Sequence, residues 1–124
     1  MVTVPAFLLR RLYLKQSLRN TSDGVEFLLK NNLGSGYAHK MQPLKIDSEP
    51  VDLGKTLFFL DGKEPVPFSA VAKEKTFTLA MNKSITIRVE GMTLQTGPHK
   101  IEMGFDVPGL GTLRFDFTDS IGDE

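Results

Sequence analysis

Apolar and polar residues alternate one for one through most of residues 84–119, and the rest of the chain is organised around that stretch. Ile85, Ile87 and Val89 interleave with Thr86, Arg88 and Glu90. Ile101, Met103, Phe105 and Val107 interleave with Lys100, Glu102, Gly104 and Asp106, and Leu113, Phe115 and Phe117 with Thr112, Arg114, Asp116 and Thr118. Successive strand side chains point to opposite faces, so each run presents one apolar and one polar face. Gly97-Pro98 lies in the first connection and Pro108-Gly109-Leu110-Gly111 forms the second, both turn-favouring sequences. The pattern predicts three consecutive strands.

Upstream the alternation is shorter and more often interrupted. Residues 1–7 read as an extended arm. In residues 8–20, Leu8, Leu12, Leu14 and Leu18 share one parity, and Leu9, Arg11, Tyr13, Lys15, Ser17 and Arg19 share the other. Leu8, Leu9 and Leu12 also suit a helical period. The turn sequence Asn20-Thr21-Ser22-Asp23-Gly24 and the strict alternation of Val25, Phe27 and Leu29 favour a hairpin of residues 12–19 with 25–31. Gly34 and Gly36 then break the chain. A strand over residues 37–47 is pushed to an edge or a bulge by Pro43. Residues 56–60 form a short strand closed by Asp61-Gly62, Pro65 and Pro67 fit an edge segment, and 71–75 read as one helical turn or a loop. Residues 76–79 form another short strand, and 122–124 end the chain as an acidic tail. About eight short strands punctuated by Gly, Pro and Asn/Asp predict an all-β fold. The expectation is one antiparallel β-sandwich domain over residues 1–124, with a small β-barrel as the alternative.

Composition narrows the function. The 124 residues contain no cysteine, which removes disulfides, thiolate metal sites and a Cys nucleophile. Fifteen basic and fifteen acidic side chains cancel and are interspersed, whereas a nucleic-acid binder shows a basic excess or stripe, so no nucleic-acid partner is expected. The apolar run after Met1 is interrupted by Pro5 and followed, not preceded, by Arg10 and Arg11, which is not a signal-peptide order. No apolar stretch approaches the ~20 residues needed to span a bilayer. A cytoplasmic protein without a membrane partner is expected.

The catalytic inventory is thin. His39 and His99 are the only histidines, and a metal site would need both to converge with a carboxylate such as Asp47, Glu90 or Glu102. No His pair stands at metal-ligand spacing, so neither a metal nor a cofactor is expected. Glu102, Asp106 and Asp116 occupy exposed alternating positions beside Arg88, Lys100 and Arg114, a pattern of cross-strand ion pairs more than of an acid/base couple. Gly34-Ser35-Gly36 is too short for a phosphate loop, and Gly109-x-Gly111 lies between strands instead of before a helix. With no Trp and only Tyr13 and Tyr37, an aromatic sugar platform is poorly supplied.

The order of landmarks resembles the C-glycoside deglycosidase β-subunit family. It is carried by Ser17-Leu18-Arg19-Asn20, Asp23-Gly24-Val25-Glu26-Phe27, Leu44-Lys45-Ile46-Asp47, Leu57-Phe58-Phe59-Leu60-Asp61-Gly62, Val89-Glu90 and Leu94-x-x-Gly97-Pro98-His99-Lys100-Ile101. That resemblance implies a small β-sandwich subunit assembling with a sugar-isomerase-like barrel subunit that binds the metal and carries the chemistry. It transfers no catalytic residue to this chain.

Three functions follow as alternatives: a non-catalytic accessory subunit, a stand-alone enzyme using His39 and His99, and a sandwich binding a small ligand or a carbohydrate. A flat apolar patch would favour the first, a polar cleft holding both histidines the second, and a concave pocket with Tyr37 the third. Tyr37, His39 and His99 are therefore the candidate ligand residues. If residues 8–14 form a strand with Leu8, Leu12 and Leu14 inward, Leu9 and Tyr13 face outward with Arg11 at their rim. An exposed edge with surplus apolar side chains invites pairing. Leu9, Arg11 and Tyr13 are thus the expected interface, with a homo-oligomer or a larger enzyme subunit as partner.

Overall fold

A computed structural model describes residues 5–34, 36–60 and 62–121. The first four residues of the expected arm, the Ser35 and Asp61 turn positions and the acidic tail at 122–124 lie outside the described residues. The first described element is a short helix, α1 (Ala6–Leu9), extended by a 3-10 turn over Arg10–Leu12. Strands follow as β1 (Arg19–Asn20), β2 (Gly24–Lys30), β3 (Gly36–Ala38), β4 (Lys40–Met41), β5 (Lys45–Ile46) and β6 (Glu49–Pro50). Then come β7 (Thr56–Phe59), β8 (Val66–Pro67), β9 (Phe77–Leu79), β10 (Ser84–Glu90), β11 (Gly97–Val107) and β12 (Gly111–Ile121).

One sheet runs β1-β2-β10-β7-β8; the other runs β12-β11-β5-β6, with β4 also on β11, and β3 pairs with β9. All the pairings are antiparallel. Among the described residues neither large sheet closes on itself, so the fold is an all-β sandwich and not a barrel. The expected three strands at the C-terminal end are β10, β11 and β12. Their apolar parity is inward as the alternation requires: Ile85, Ile87, Val89, Ile101, Met103, Phe105, Leu113, Phe115 and Phe117 are all buried.

The core is one cluster that joins both sheets. Phe27 of β2 meets Phe117 of β12 edge-on at 5.3 Å. Phe58, Phe68, Phe77 and Phe105 form a second run of ring contacts at 4.9–6.3 Å. Phe58 faces the core, and its neighbour Phe59 faces out beneath the Arg88 guanidinium, 4.7 Å from the ring centre. Pro43 does more than displace its strand: residues 37–47 divide into β3, β4 and β5, because a residue without an N–H interrupts the ladder. Residues 71–75 are a loop closed by an Ala72–Lys75 bridge, and the helical turn falls just before them, at Phe68–Ala70.

The N-terminal expectation needs correction. Residues 12–19 do not form the first arm of a hairpin; only Arg19 and Asn20 pair with β2, and Tyr13 makes an isolated bridge to Leu29. The preceding segment is helical, with Leu8 and Leu9 N–H groups donating to the Pro5 carbonyl. Leu8, Leu9 and Leu12 satisfy a helical stripe, and packing against β12 decides between the two periods. Leu9 and Tyr13 are consequently buried, at 4% and 7% exposure, and do not face outward as the strand parity required.

Candidate functional site: an apolar cleft beside the N-terminal helix

The helical segment forms one side of an open cleft of about 390 Å³. Leu8, Leu9 and Leu12 line it from the helix, Tyr37, Ala38, Phe77 and Leu79 from the β3–β9 pair, and Phe105, Val107, Leu110 and Leu113 from around the β11–β12 turn. Leu33 stands on the loop between β2 and β3, and Tyr37 is half exposed.

Asn31, at the end of β2, holds that loop in place. Its amide nitrogen donates to the carbonyls of Gly34 (2.6 Å) and Leu79 (2.7 Å), and its amide oxygen accepts from the N–H groups of Leu33 (3.0 Å) and Gly34 (3.2 Å). A buried Asn with both donors and both lone pairs engaged is a rigid joint. In the alternation it is merely the last residue of the second hairpin arm. Its signal was an Asn three residues before a glycine, the pattern of a side chain closing a local turn on its own backbone.

The helix that forms the other wall is fixed from β12. Arg10 Nε donates to the Asp116 backbone carbonyl at 2.6 Å and its guanidinium pairs with the Asp116 carboxylate at 3.3 Å. The Tyr13 ring stacks on Phe117 at 3.6 Å between centres, and its hydroxyl donates to Asp119 at 2.6 Å while accepting from the Leu18 N–H at 3.2 Å. Burial, reinforced by the Asp119 bond, pushes the Tyr13 phenol up to about 12. Burial alone would raise the Asp119 carboxyl; bonds from Tyr13 and from the N–H groups of Gln16 and Ser120 nevertheless hold it below the usual carboxylate range.

The candidate ligand residues do not converge. Tyr37 lies on the cleft, but neither histidine lines it. The His39 N–H donates to the Asp106 carbonyl, so His39 sits beside one end of β11, while His99 belongs to the other. Asp106 lies seven residue steps along the strand from His99, roughly 24 Å at about 3.4 Å a step. His99 is tied up structurally: Nδ1 is 2.6 Å from Asp47 and Nε2 is 2.7 Å from the Gln95 carbonyl. The Asp47 contact and then the Gln95 carbonyl raise the imidazole above its ordinary value. His99 and the Lys100 N–H lower the Asp47 carboxyl. Among the described residues no three His, Asp or Glu side chains converge as a metal site. No helix among them is long and apolar enough to cross a membrane. Of the three interface candidates, Leu9 and Tyr13 are spent inside the chain and Arg11 alone is exposed.

Residues 8–122 match the family described as Hydroxymethylglutaryl-CoA reductase, N-terminal domain. No curated protein matches the sequence. The family match overturns the resemblance to C-glycoside deglycosidase β subunits and removes the support that the resemblance lent to a barrel partner. The shared landmarks are strand and turn sequences that recur in unrelated sandwiches. The cleft does not fit the phosphate-bearing part of coenzyme A, since none of its described lining residues is charged, and Gly109-x-Gly111 is a hairpin turn followed by β12 and not by a helix. By its match over nearly its whole length, the chain belongs to the hydroxymethylglutaryl-CoA reductase N-terminal domain family.

Proposed function

We propose that this chain is a non-catalytic accessory domain, cytoplasmic, whose working site is the apolar cleft, used to bind a small ligand. The observation that carries this reading is the concave pocket with Tyr37 on its lining and, among the described residues, no titratable side chain in it other than that phenol. A volume near 390 Å³ falls in the range of small-molecule sites. Membership of a family named for the N-terminal domain of an enzyme supports an accessory role. The test is titration with the uncharged fluorophore N-phenyl-1-naphthylamine. Saturable one-to-one binding that is lost in Leu33→Asp and in Leu110→Asp, with unchanged circular dichroism, is the expected result. No saturable binding, or binding indifferent to both substitutions, refutes the reading.

A second reading, assembly with a further copy or a larger enzyme subunit, is favoured by a different observation. Phe7 is 65% exposed and Leu14 is 42% exposed, at either end of the helical segment. Surplus apolar groups on one segment mark a contact surface. These two residues replace Leu9 and Tyr13 as the interface candidates, with Arg11 between them. Light scattering should show an assembly that dissociates in the Phe7→Glu/Leu14→Glu double variant. A wild-type monomer at tens of micromolar removes self-association, and failure to co-purify with any enzyme subunit from its host removes the rest.

A further inference from the structure

The chemistry of the cleft restricts its ligand more tightly than its volume does. Among the described residues fifteen line it, and none of those carries a charge. Two have polar side chains, Asn31 and Tyr37. Asn31 has no capacity left, because its two amide hydrogens and two lone pairs all bond within the loop and to β9. The same bonds occupy the N–H groups of Leu33 and Gly34, so that stretch of backbone offers a guest no free donor. The polar side chain that remains is Tyr37, half exposed on β3. The other described lining residues are Leu, Val, Ala, Phe and Gly.

We infer that the cleft takes an uncharged molecule with a hydrocarbon body and a single hydrogen-bonding end, the end resting against the Tyr37 hydroxyl. The inference rests on the reading of the cleft as a ligand site and deepens it. A carboxylate or ammonium drawn into this lining loses water and meets no counter-charge, so ionic guests are disfavoured. A macromolecular partner is poorly matched as well: a standard protein interface engages about 20–30 residues a side, more than this lining provides. The hydrocarbon body gains by apolar burial along Leu8, Leu12, Leu79 and Leu113. A hydroxyl or carbonyl end exchanges its bond to water for one to a phenol, which can donate or accept.

The experiment is displacement of bound N-phenyl-1-naphthylamine by 1-decanol, decanoate and decylammonium at neutral pH, each below its aggregation limit, in wild type and in Tyr37→Phe. Decanol should displace the probe at a concentration at least tenfold lower than either ion. In Tyr37→Phe the decanol midpoint should rise several-fold while the probe's own affinity stays within twofold. Displacement by decanoate or decylammonium at the same concentration as decanol overturns the uncharged ligand class. A decanol midpoint unchanged in Tyr37→Phe overturns the role of the phenol. In both cases probe binding that still depends on Leu33 and Leu110 leaves the cleft itself standing as a ligand site. Probe binding that is absent, or insensitive to those two positions, brings down both conclusions together.

Discussion

Replacing Gly24 with alanine tests how closely the two central strands of the first sheet approach each other. Gly24 has φ +153°, and a Cβ built on it would stand 2.0 Å from the Val89 carbonyl oxygen, 2.9 Å from its carbonyl carbon and 3.1 Å from Glu90 Cα. These are backbone atoms of β10, a strand held on its other side by β7, so they have nowhere to retreat. Ordinary contacts of a Cβ begin near 3.4 Å, so β2 must move by more than an ångström at its first residue. That movement breaks the Gly24–Glu90 register and strains the neighbouring Gly91 N–H bond to the Asp23 carbonyl, 3.2 Å long. Lost ladder bonds cost about 0.5–1.5 kcal/mol each, and a side chain at this φ adds about 1–3 kcal/mol. The expected loss is about 3–5 kcal/mol, a large fraction of the ~5–15 kcal/mol by which a domain is stable.

Gly91→Ala is the matched control. Gly91 also has positive φ, +72°, but no atom lies within 4 Å of its built Cβ. Only the left-handed backbone penalty of about 1–2 kcal/mol applies there. Urea unfolding followed by far-UV circular dichroism separates the two. With a slope of about 1–3 kcal/mol/M, Gly24→Ala should lower the midpoint by roughly 2 M and Gly91→Ala by well under half of that. A Gly24→Ala midpoint no lower than that of Gly91→Ala refutes the close-approach argument.

Two further predictions concern titrating groups. Tyr13→Phe removes a bond to a carboxylate and should cost about 1.5–3 kcal/mol. Because the folded phenol titrates above its ordinary value of 10.0, at about 12, wild type should lose stability as pH rises through that interval, and the variant's unfolding midpoint should stay flat there. His99 is raised in the folded chain, so its contribution is full below the ordinary histidine value and is lost as pH rises through the folded one. Asp47 is lowered, so its share is present above the ordinary carboxylate value and is lost as pH falls through the folded one. A histidine Cδ2–H NMR titration should show His99 protonating at higher pH than in Asp47→Asn; equal midpoints would remove Asp47 as the cause.

The parts of the fold legible in sequence are those whose information is local. For β10, β11 and β12 the alternation alone fixes which side chains are inward, because a strand's two faces repeat every second residue and both connections carry turn residues. Pro43 likewise announced an interruption and produced one. Residues 8–14 failed for the opposite reason. Leu8, Leu9 and Leu12 fit a helical stripe while Leu8, Leu12 and Leu14 fit a strand parity, and the tie is broken by contacts with β12 more than a hundred positions away. The same distance hides the site. Tyr37 was visible as a candidate, but its companions come from four separate stretches of chain, and the His99–Asp47 pair spans 52 positions. Glu26 would pass for an ordinary exposed strand acid, yet it is 5% exposed between Arg19 at 3.3 Å and Arg88 at 2.6 Å.

The edge-strand argument made from the sequence put the edge in residues 8–14, which are largely helical; the sheet edge lies on β12 instead. β12 ends its sheet, and an unpaired row of backbone groups there needs a cover. The chain's own N-terminal segment packs against that strand, with Arg10 bonded to the Asp116 carbonyl, Tyr13 stacked on Phe117, and Leu9 and Leu12 buried. Leu9→Glu or Tyr13→Glu would therefore put a charge into the core and damage the fold before it touched any assembly. The same segment also supplies one wall of the cleft through Leu8, Leu9 and Leu12. Packing of this segment on β12 and formation of the cleft wall therefore go together. On the proposed function, a guest packed against Leu8 and Leu12 would bind only the docked arrangement, so by mass action it would hold the segment on β12 and raise the stability of the whole sandwich.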